Sequence, residues 1–183
     1  MSGIGHNGGP ALERATGWKR HCWTAARAAL LPTLPIEVVR LRVKRAAELG
    51  LDYKTYAGVR AQTGHDVVAF LFSSNALRVT ALRPVAPDAV AGKLAAVKAG
   101  RLGLAVAPLS PGVLEAANPA LDGASAAPYA LAPWGAARAA IRAALGKLPG
   151  DGVLLVGTHG LEAEWCAAGR LAGYVPAERY FAG

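Results

Sequence analysis

The chain has few of the residues that mark a secreted or membrane-embedded protein. Its 183 residues include only two cysteines, Cys22 and Cys166, and a disulfide framework at this length needs more. The longest apolar runs, such as 67–72 and 153–156, are far shorter than the ~20 residues that span a bilayer. The N-terminus also lacks the basic and apolar regions of a secretion signal. These absences predict a cytoplasmic protein without a membrane partner.

Aromatic residues are scarce as well, at 7% of the chain, although hydrophobic residues make up 53%. Much of the hydrophobic content is alanine, which favours helices but buries little area. The length is that of one domain and is sufficient for a substantial core. We therefore expect an ordered domain with a core built mainly from leucine, valine and small side chains.

Acidic residues are outnumbered, and the net charge is +8. The excess is concentrated between Arg14 and Arg60, a stretch with ten basic and three acidic residues. A concentrated positive field attracts polyanions. The alternative interpretation is that the excess charge serves only solubility.

The composition changes along the chain and predicts its organisation. Residues 1–11 are glycine-rich, uncharged and without periodicity, so we expect a disordered tail. Within it, the string Gly-His-Asn-Gly-Gly-Pro at 5–10 resembles the short tails of small proteins of alphaproteobacteria and their phages. That resemblance implies a bacterial or phage context. Residues 12–183 are predicted to be a single α/β domain, with a basic helical lobe at 12–64 and an α/β portion at 65–183.

Three helices are predicted in the lobe, over 12–31, 36–50 and 53–63. Proline 32 ends the first helix, since proline disfavours helix before it. Gly50 and Gly64 end the other two, and Asp52 is the expected N-cap of the third. The stripe of the second helix that we expect to face inward consists of Ile36, Val39, Val43, Ala47 and Gly50.

Strands and helices alternate after residue 65. The apolar runs predict strands at 67–72, 77–82, 102–107 and 153–156, and the intervening segments predict helices at 88–99, 113–117, 135–148 and 161–171. The remainder of 108–133 is predicted to be irregular, as is 173–183. Alternation of this kind favours parallel pairing. The expected fold is a short, mostly parallel sheet flanked by helices, with an N-terminal helical lobe.

The helix pair at 36–64 resembles a helix-turn-helix, with Ala46 and Gly50 as the small residues near the turn. It departs from that pattern at Tyr56, where an aliphatic residue normally locks the second helix. The resemblance and the charge make a nucleic-acid-binding or regulatory protein the leading prediction. The candidate base contacts are Tyr53, Lys54, Arg60 and Gln62, and the candidate phosphate contacts are Arg40, Arg42, Lys44 and Arg45. The alternative is a helical hairpin that packs on the sheet with solvated charges.

Polar residues follow the predicted strands, where parallel α/β sheets bind ligands. They are Ser73, Ser74 and Asn75 after the first strand, Ser110 after the strand at 102–107, and Thr158, His159 and Gly160 after the last. The glycines around 158 allow backbone amides to face an anion. This pattern predicts, as an alternative function, a small-molecule- or anion-binding protein or enzyme. Polar loops are also what any strand-to-helix connection requires.

No recognised catalytic or metal motif is present. His159, Glu162 and Cys166 share one helix face, but no paired-cysteine spacing accompanies them. Walker, dinucleotide and GxSxG patterns are absent from the sequence. We therefore predict no catalytic residues, no metal and no cofactor.

The C-terminal segment 174–181 is rich in aromatic residues. Such a segment typically docks on its own domain, on a second subunit or on another protein. An interaction protein of a bacterial or phage assembly is therefore a third functional alternative.

Overall fold

The computed structural model describes residues 34–182. The predicted tail at 1–11 and the predicted helix at 12–31 lie outside the described residues and stay predictions. From Arg40 onward the chain forms one compact unit, and residues 34–39 belong to the unit before it. Within the described residues, no helix is both long and apolar enough to cross a membrane.

The first two described helices begin and end close to where local signals place them. Helix α1 is Ile36–Glu48 and helix α2 is Tyr53–Thr63. The Asp52 carboxylate accepts a hydrogen bond from the backbone N–H of Thr55 at 2.9 Å, so it caps α2 as predicted. Gly64 adopts the left-handed conformation with a φ of 73° and ends the helix.

The inward face of α1 differs from the prediction. Val43 is 47% exposed, whereas Ala46 and Leu49 are buried in the core. Arg45 lies on this inner side, half-buried, and its guanidinium reaches hydrogen-bond partners instead of water. The predicted stripe was wrong because an arginine with fixed partners can occupy a buried face that a hydrophobic pattern assigns to aliphatic residues.

Within residues 34–182, five parallel strands form one sheet, in the order β3-β2-β1-β4-β5. They are β1 (Ala69–Ser73), β2 (Gly100–Ala105), β3 (Gly123–Ala126), β4 (Val153–Gly157) and β5 (Gly173–Pro176). At the centre, Leu71 of β1 is in register with Leu102 of β2 on one side and Leu155 of β4 on the other. The predicted α/β fold with helices around a parallel sheet is confirmed.

Helices cover both faces of the sheet. Besides α1 and α2 they are α3 (Asp88–Ala96), α4 (Pro111–Ala117), α5 (Trp134–Leu145), α6 (Gly160–Gly169) and α7 (Ala177–Phe181). Successive strand residues point to opposite faces. Thus Phe70 and Phe72 belong to the core shared with α1–α4 and α7, whereas Leu71 belongs to the core shared with α5 and α6. The fold has three layers.

Three segments differ from their predictions. The stretch predicted as a strand at 77–82 is a turn closed by the bridge Thr80–Arg83, and Arg78 has a φ of 58°, which an extended strand does not allow. Strand β3 lies in a segment that was predicted to be irregular. The prediction missed it because its sequence, GASA, has no large apolar residue. The C-terminal segment, also predicted to be irregular, forms β5 and α7.

The aromatic C-terminal segment docks on its own domain. Val175 and Tyr180 are buried, and the Tyr180 ring contacts Phe70 and Phe72 with centroid distances of 5.4 and 5.6 Å. Burial raises the pKa of the Tyr180 hydroxyl, which donates to the carbonyl of Leu49 at 3.1 Å. A protein partner for this segment stays a prediction.

Candidate ligand-binding crevice

The strand order creates a crevice at the carboxyl edge of the sheet. After β1 the chain proceeds outward through β2 and β3, then returns past β1 to form β4 and β5 on the other side. The helices that connect β1, β2 and β3 lie on one face of the sheet, and the helices that connect β3, β4 and β5 lie on the other face. The two sets of connections therefore separate at the carboxyl ends of β1 and β4. In open α/β sheets, ligands bind at such a switch point. Here it lies between Ser73, which ends β1, and Gly157, which ends β4.

The two serines at the end of β1, Ser73 and Ser74, hold the following loop in place. Ser73 Oγ accepts a hydrogen bond from the backbone N–H of Ala76 at 3.0 Å. Ser74 Oγ accepts one from the backbone N–H of Val106 at 3.1 Å, which ties the tip of β1 to the end of β2. Both serines are buried. These two predicted ligand contacts therefore satisfy backbone donors of the fold.

Glu162 joins the tips of β1 and β4. Its carboxylate is buried, with 1% of the residue exposed, and Oε1 accepts from Asn75 Nδ2 at 2.9 Å. Oε2 accepts from the backbone N–H groups of Thr158 at 2.5 Å and His159 at 3.2 Å. The carboxylate thus occupies the N-terminal end of α6, the position predicted for an external anion.

Sequence reasoning considered Glu162 only as a metal ligand beside His159 and Cys166. The available signal was the position of a glutamate three residues after the helix N-cap, where its side chain can accept from the N-cap amide. A second signal is Gly157. A Cβ atom at residue 157 would lie 2.5 Å from Glu162 Oε2 and 2.8 Å from the Tyr174 ring. The absence of a side chain there makes room for the carboxylate.

A cavity of about 350 Å³ lies beside this polar bridge. Its walls are formed by residues after β2, the 128–132 loop, and helices α5 and α6. Most of the lining is apolar: Val106, Pro128, Ala130, Leu131, Ala132, Trp134, Ala137, Leu161, Trp165 and Ala168. The polar lining consists of Asn75, His159, Glu162 and Glu164. The cavity is therefore an apolar space with hydrogen-bonding groups mainly at its β1–β4 side.

The rim of the cavity exposes large apolar side chains. Leu131 is 84% exposed, Trp134 is 58% exposed and Leu161 is 45% exposed. Leu131 also has a φ of 60°, a left-handed conformation that is strained for a leucine. A solvent-facing apolar patch around a cavity is a common property of binding sites.

The structure brings only part of the predicted crevice set together. Asn75 and His159 line the cavity, and the Thr158 amide belongs to the adjoining Glu162 bridge. Gly160 is the first residue of α6, and a Cβ atom there would meet open space. Ser110 is the exposed N-cap of α4 and accepts from the Val113 amide at 3.4 Å, so it stabilises that helix.

Two titratable side chains near the crevice, Cys166 and Tyr174, have raised pKa values that favour their neutral forms. Burial raises the pKa of the Cys166 thiol to about 11, so the sulfur is protonated near pH 7 and is a poor nucleophile. Burial, with the nearby Glu162 charge, raises the pKa of Tyr174. Within residues 34–182, no group of three His, Cys, Asp or Glu side chains is arranged to hold a metal ion.

The predicted nucleic-acid contacts on α1 and α2 differ in their exposure to solvent. Arg40, Lys44, Lys54 and Gln62 are exposed, whereas Arg42, Tyr53 and Arg60 are partly buried. Arg45 is used within the fold, since its guanidinium donates to Asp66 Oδ2 at 2.9 Å and to the carbonyls of Val67 and Lys98 at 3.0 and 3.1 Å. We therefore remove Arg45 from the proposed phosphate contacts.

Tyr56 anchors α2, at the position where the helix-turn-helix pattern has an aliphatic residue. It is buried, and its hydroxyl donates to Asp66 Oδ1 at 2.7 Å. Partial burial opposes ionisation of Asp66, but hydrogen bonds from Tyr56 and Arg45 outweigh it and lower the pKa of the carboxyl. The hydroxyl thus supplies a partner that an aliphatic residue would lack.

Comparison of the chain with family models, curated proteins and solved structures found no match. Its crevice and its basic helices are therefore the basis for proposing a function.

Proposed function

We propose that the protein binds a small organic molecule in the cavity at the carboxyl edge of the sheet. The observation that carries this proposal is the position of a cavity of about 350 Å³ at the switch point between β1 and β4. Small-molecule sites commonly have predominantly apolar walls and a few convergent polar groups. In this cavity, the polar groups include Asn75 and Glu162, which are hydrogen-bonded to each other.

The exposed rim supplies a driving force for binding. Complete burial of a large apolar side chain stabilises a protein or complex by roughly 1.5–3 kcal/mol. Leu131 and Trp134 are both more than half exposed and line the cavity. A ligand that covers only part of each side chain therefore gains about 1 kcal/mol from each of them.

A cavity-filling substitution tests the proposal. We expect 2-phenylethanol, a neutral apolar probe, to bind the wild-type chain in ligand-observed NMR. Ala132→Phe places a ring in the half-buried lining and should abolish the signal. Ala139→Phe adds the same ring at an exposed position of α5 outside the lining and should preserve it. Equal binding by all three proteins, each checked for folding by circular dichroism, would contradict the proposal.

Nucleic-acid binding by α1 and α2 is a second candidate. It is favoured by the arrangement of α2, in which Tyr56 and Val59 are buried while Lys54 and Gln62 are exposed. Lys44 adds an exposed positive charge on the neighbouring helix α1. This arrangement leaves basic side chains accessible to phosphates without disturbing the contacts that hold α2 on the sheet.

Fluorescence anisotropy with labelled duplex DNA, single-stranded DNA and RNA tests this second candidate. For duplex DNA, replacing Arg42, Lys44 and Lys54 with alanine should reduce the slope of log affinity against log salt by about 2.7 if each contacts one phosphate. Replacing Arg138, Arg142 and Lys147 removes the same charge from exposed positions around α5. If this control lowers the slope equally, binding reflects total charge; if no nucleic acid binds at low salt, the candidate is rejected.

A further inference from the structure

The geometry points to a small organic cation, an apolar body with an ammonium group, as the preferred occupant of the crevice. This inference rests on the proposed binding function and specifies the chemistry of its ligand. It is the opposite of what the net charge of +8 alone would favour, since a positive protein attracts anions at long range.

The charges at the cavity itself are acidic. Glu162 and Glu164 are part of the lining, which contains neither lysine nor arginine among its described residues. Charges in contact with a ligand interact more strongly than distant surface charges, because solvent and salt screen the latter. The local field should therefore outweigh the global charge for a ligand inside the cavity.

The backbone amides that predicted an anion site already have an acceptor. The N–H groups of Thr158 and His159 donate to Glu162 Oε2. A phosphate or carboxylate that approached them would meet the Glu162 carboxylate. The two serines at the end of β1 provide no substitute, because both are buried and neither lines the cavity. An anionic group is therefore disfavoured at this end of the crevice.

Glu162 also retains capacity to accept a hydrogen bond. Its Oε1 atom accepts from Asn75, and a carboxylate oxygen has two lone pairs. An ammonium group that enters from the cavity can donate to the remaining lone pair. A hydrogen bond to a charged acceptor is stronger than one between neutral groups.

Two indole rings reinforce the preference for a cation. Trp134 and Trp165 both line the cavity, one from α5 and the other from α6. Tryptophan is the best aromatic partner for a cation, because the face of its ring is negative. The same rings pack favourably against an apolar ligand body. The cavity therefore combines acidic and aromatic groups that each favour an organic cation.

Three probes of similar size test the inference: 2-phenylethylamine as the cation, 2-phenylethanol as the neutral molecule and 3-phenylpropionate as the anion. Titrations at pH 7 and 0.15 M salt should show the amine binding at least about tenfold more tightly than the anion, a factor that corresponds to ~1.4 kcal/mol. If none of the probes binds, the proposed binding function fails. If the anion binds as tightly as the amine, the function stands and the inference on charge is overturned.

Variants show whether the two carboxylates cause the preference. Glu164→Gln and Glu162→Gln each preserve a hydrogen-bonding side chain while removing one charge. Each should reduce the ratio of amine to anion affinity by about threefold or more, with little change for the neutral alcohol. As a matched control, Glu178→Gln removes an exposed charge from α7, outside the cavity lining. An unchanged ratio in both cavity variants, or the same reduction in the control, would overturn the inference.

Discussion

Removal of the Glu162 carboxylate should destabilise the carboxyl edge of the sheet more than removal of its charge. Glu162 is 1% exposed and accepts from three N–H groups, those of the Asn75 side chain and the Thr158 and His159 backbone. A buried donor that loses its acceptor costs about 1–3 kcal/mol. Thr158 and His159 belong to an exposed turn, so water can partly replace the lost acceptor. We therefore expect Glu162→Ala to lower the free energy of unfolding by about 2–4 kcal/mol.

Glu162→Gln isolates the contribution of charge. The glutamine oxygen can accept from the two backbone amides, and its NH₂ group can donate to Asn75 once the asparagine amide rotates by half a turn. Both backbone amides then keep an acceptor, and the side-chain hydrogen bond is kept with its direction reversed. The expected loss in the free energy of unfolding is therefore about 1 kcal/mol. Glu164→Ala, two residues further along α6 and exposed, should change the stability by less than about 0.5 kcal/mol.

Urea unfolding followed by circular dichroism measures these differences, since the helices around the sheet supply the signal. The expected order of destabilisation is Glu162→Ala, then Glu162→Gln, then Glu164→Ala. A Glu162→Ala protein as stable as the wild type would refute the bridging role of the carboxylate. Equal destabilisation by alanine and glutamine would show that the charge, and not the number of accepted hydrogen bonds, is decisive.

Three further substitutions have clear expected outcomes. Hydrogen bonds lower the pKa of Asp52 to about 2, so its contribution to the stability of the folded state is present above pH ~4 and is lost as the pH falls towards 2. Asp52→Asn should remove that part of the acid dependence of stability, measured by urea titrations at different pH values. Arg45→Ala should cost about 1–3 kcal/mol in thermal unfolding, because the partly buried Asp66 carboxylate and Val67 carbonyl each lose a donor, against less than about 0.5 kcal/mol for the exposed Lys44→Ala. Gly169→Ala should lower the free energy of unfolding by about 1–3 kcal/mol, since its Cβ atom would lie 2.4 Å from a core side chain. A Cβ atom at Gly160 meets open space, so Gly160→Ala should cost no stability. Equal effects of the two arginine and lysine variants, or of the two glycine variants, would contradict the contacts described.

Elements defined by short-range interactions could be predicted from the sequence. The ends of α2 agree with the structure because Asp52 and Gly64 act on backbone groups within three or four residues. Strands β1 and β4 are recognisable because continuous apolar runs are required of strands that are buried on both faces. The parallel arrangement follows from the alternation of strands and helices. Local pattern thus determined the fold class and the polar loops at the carboxyl edge.

The tertiary structure alone decided how those parts combine. Asn75 and Glu162 are 87 residues apart and meet only because β1 and β4 are neighbours in the sheet. Arg45 turns to the inner side of α1 because Asp66, 21 residues later, lies there to accept its hydrogen bond. The short edge strands β3 and β5 exist because β2 and β4 offer them unpaired backbone groups. Each of these interactions depends on a partner distant in sequence, and spacing along the chain carries no information about which distant groups the fold will bring together.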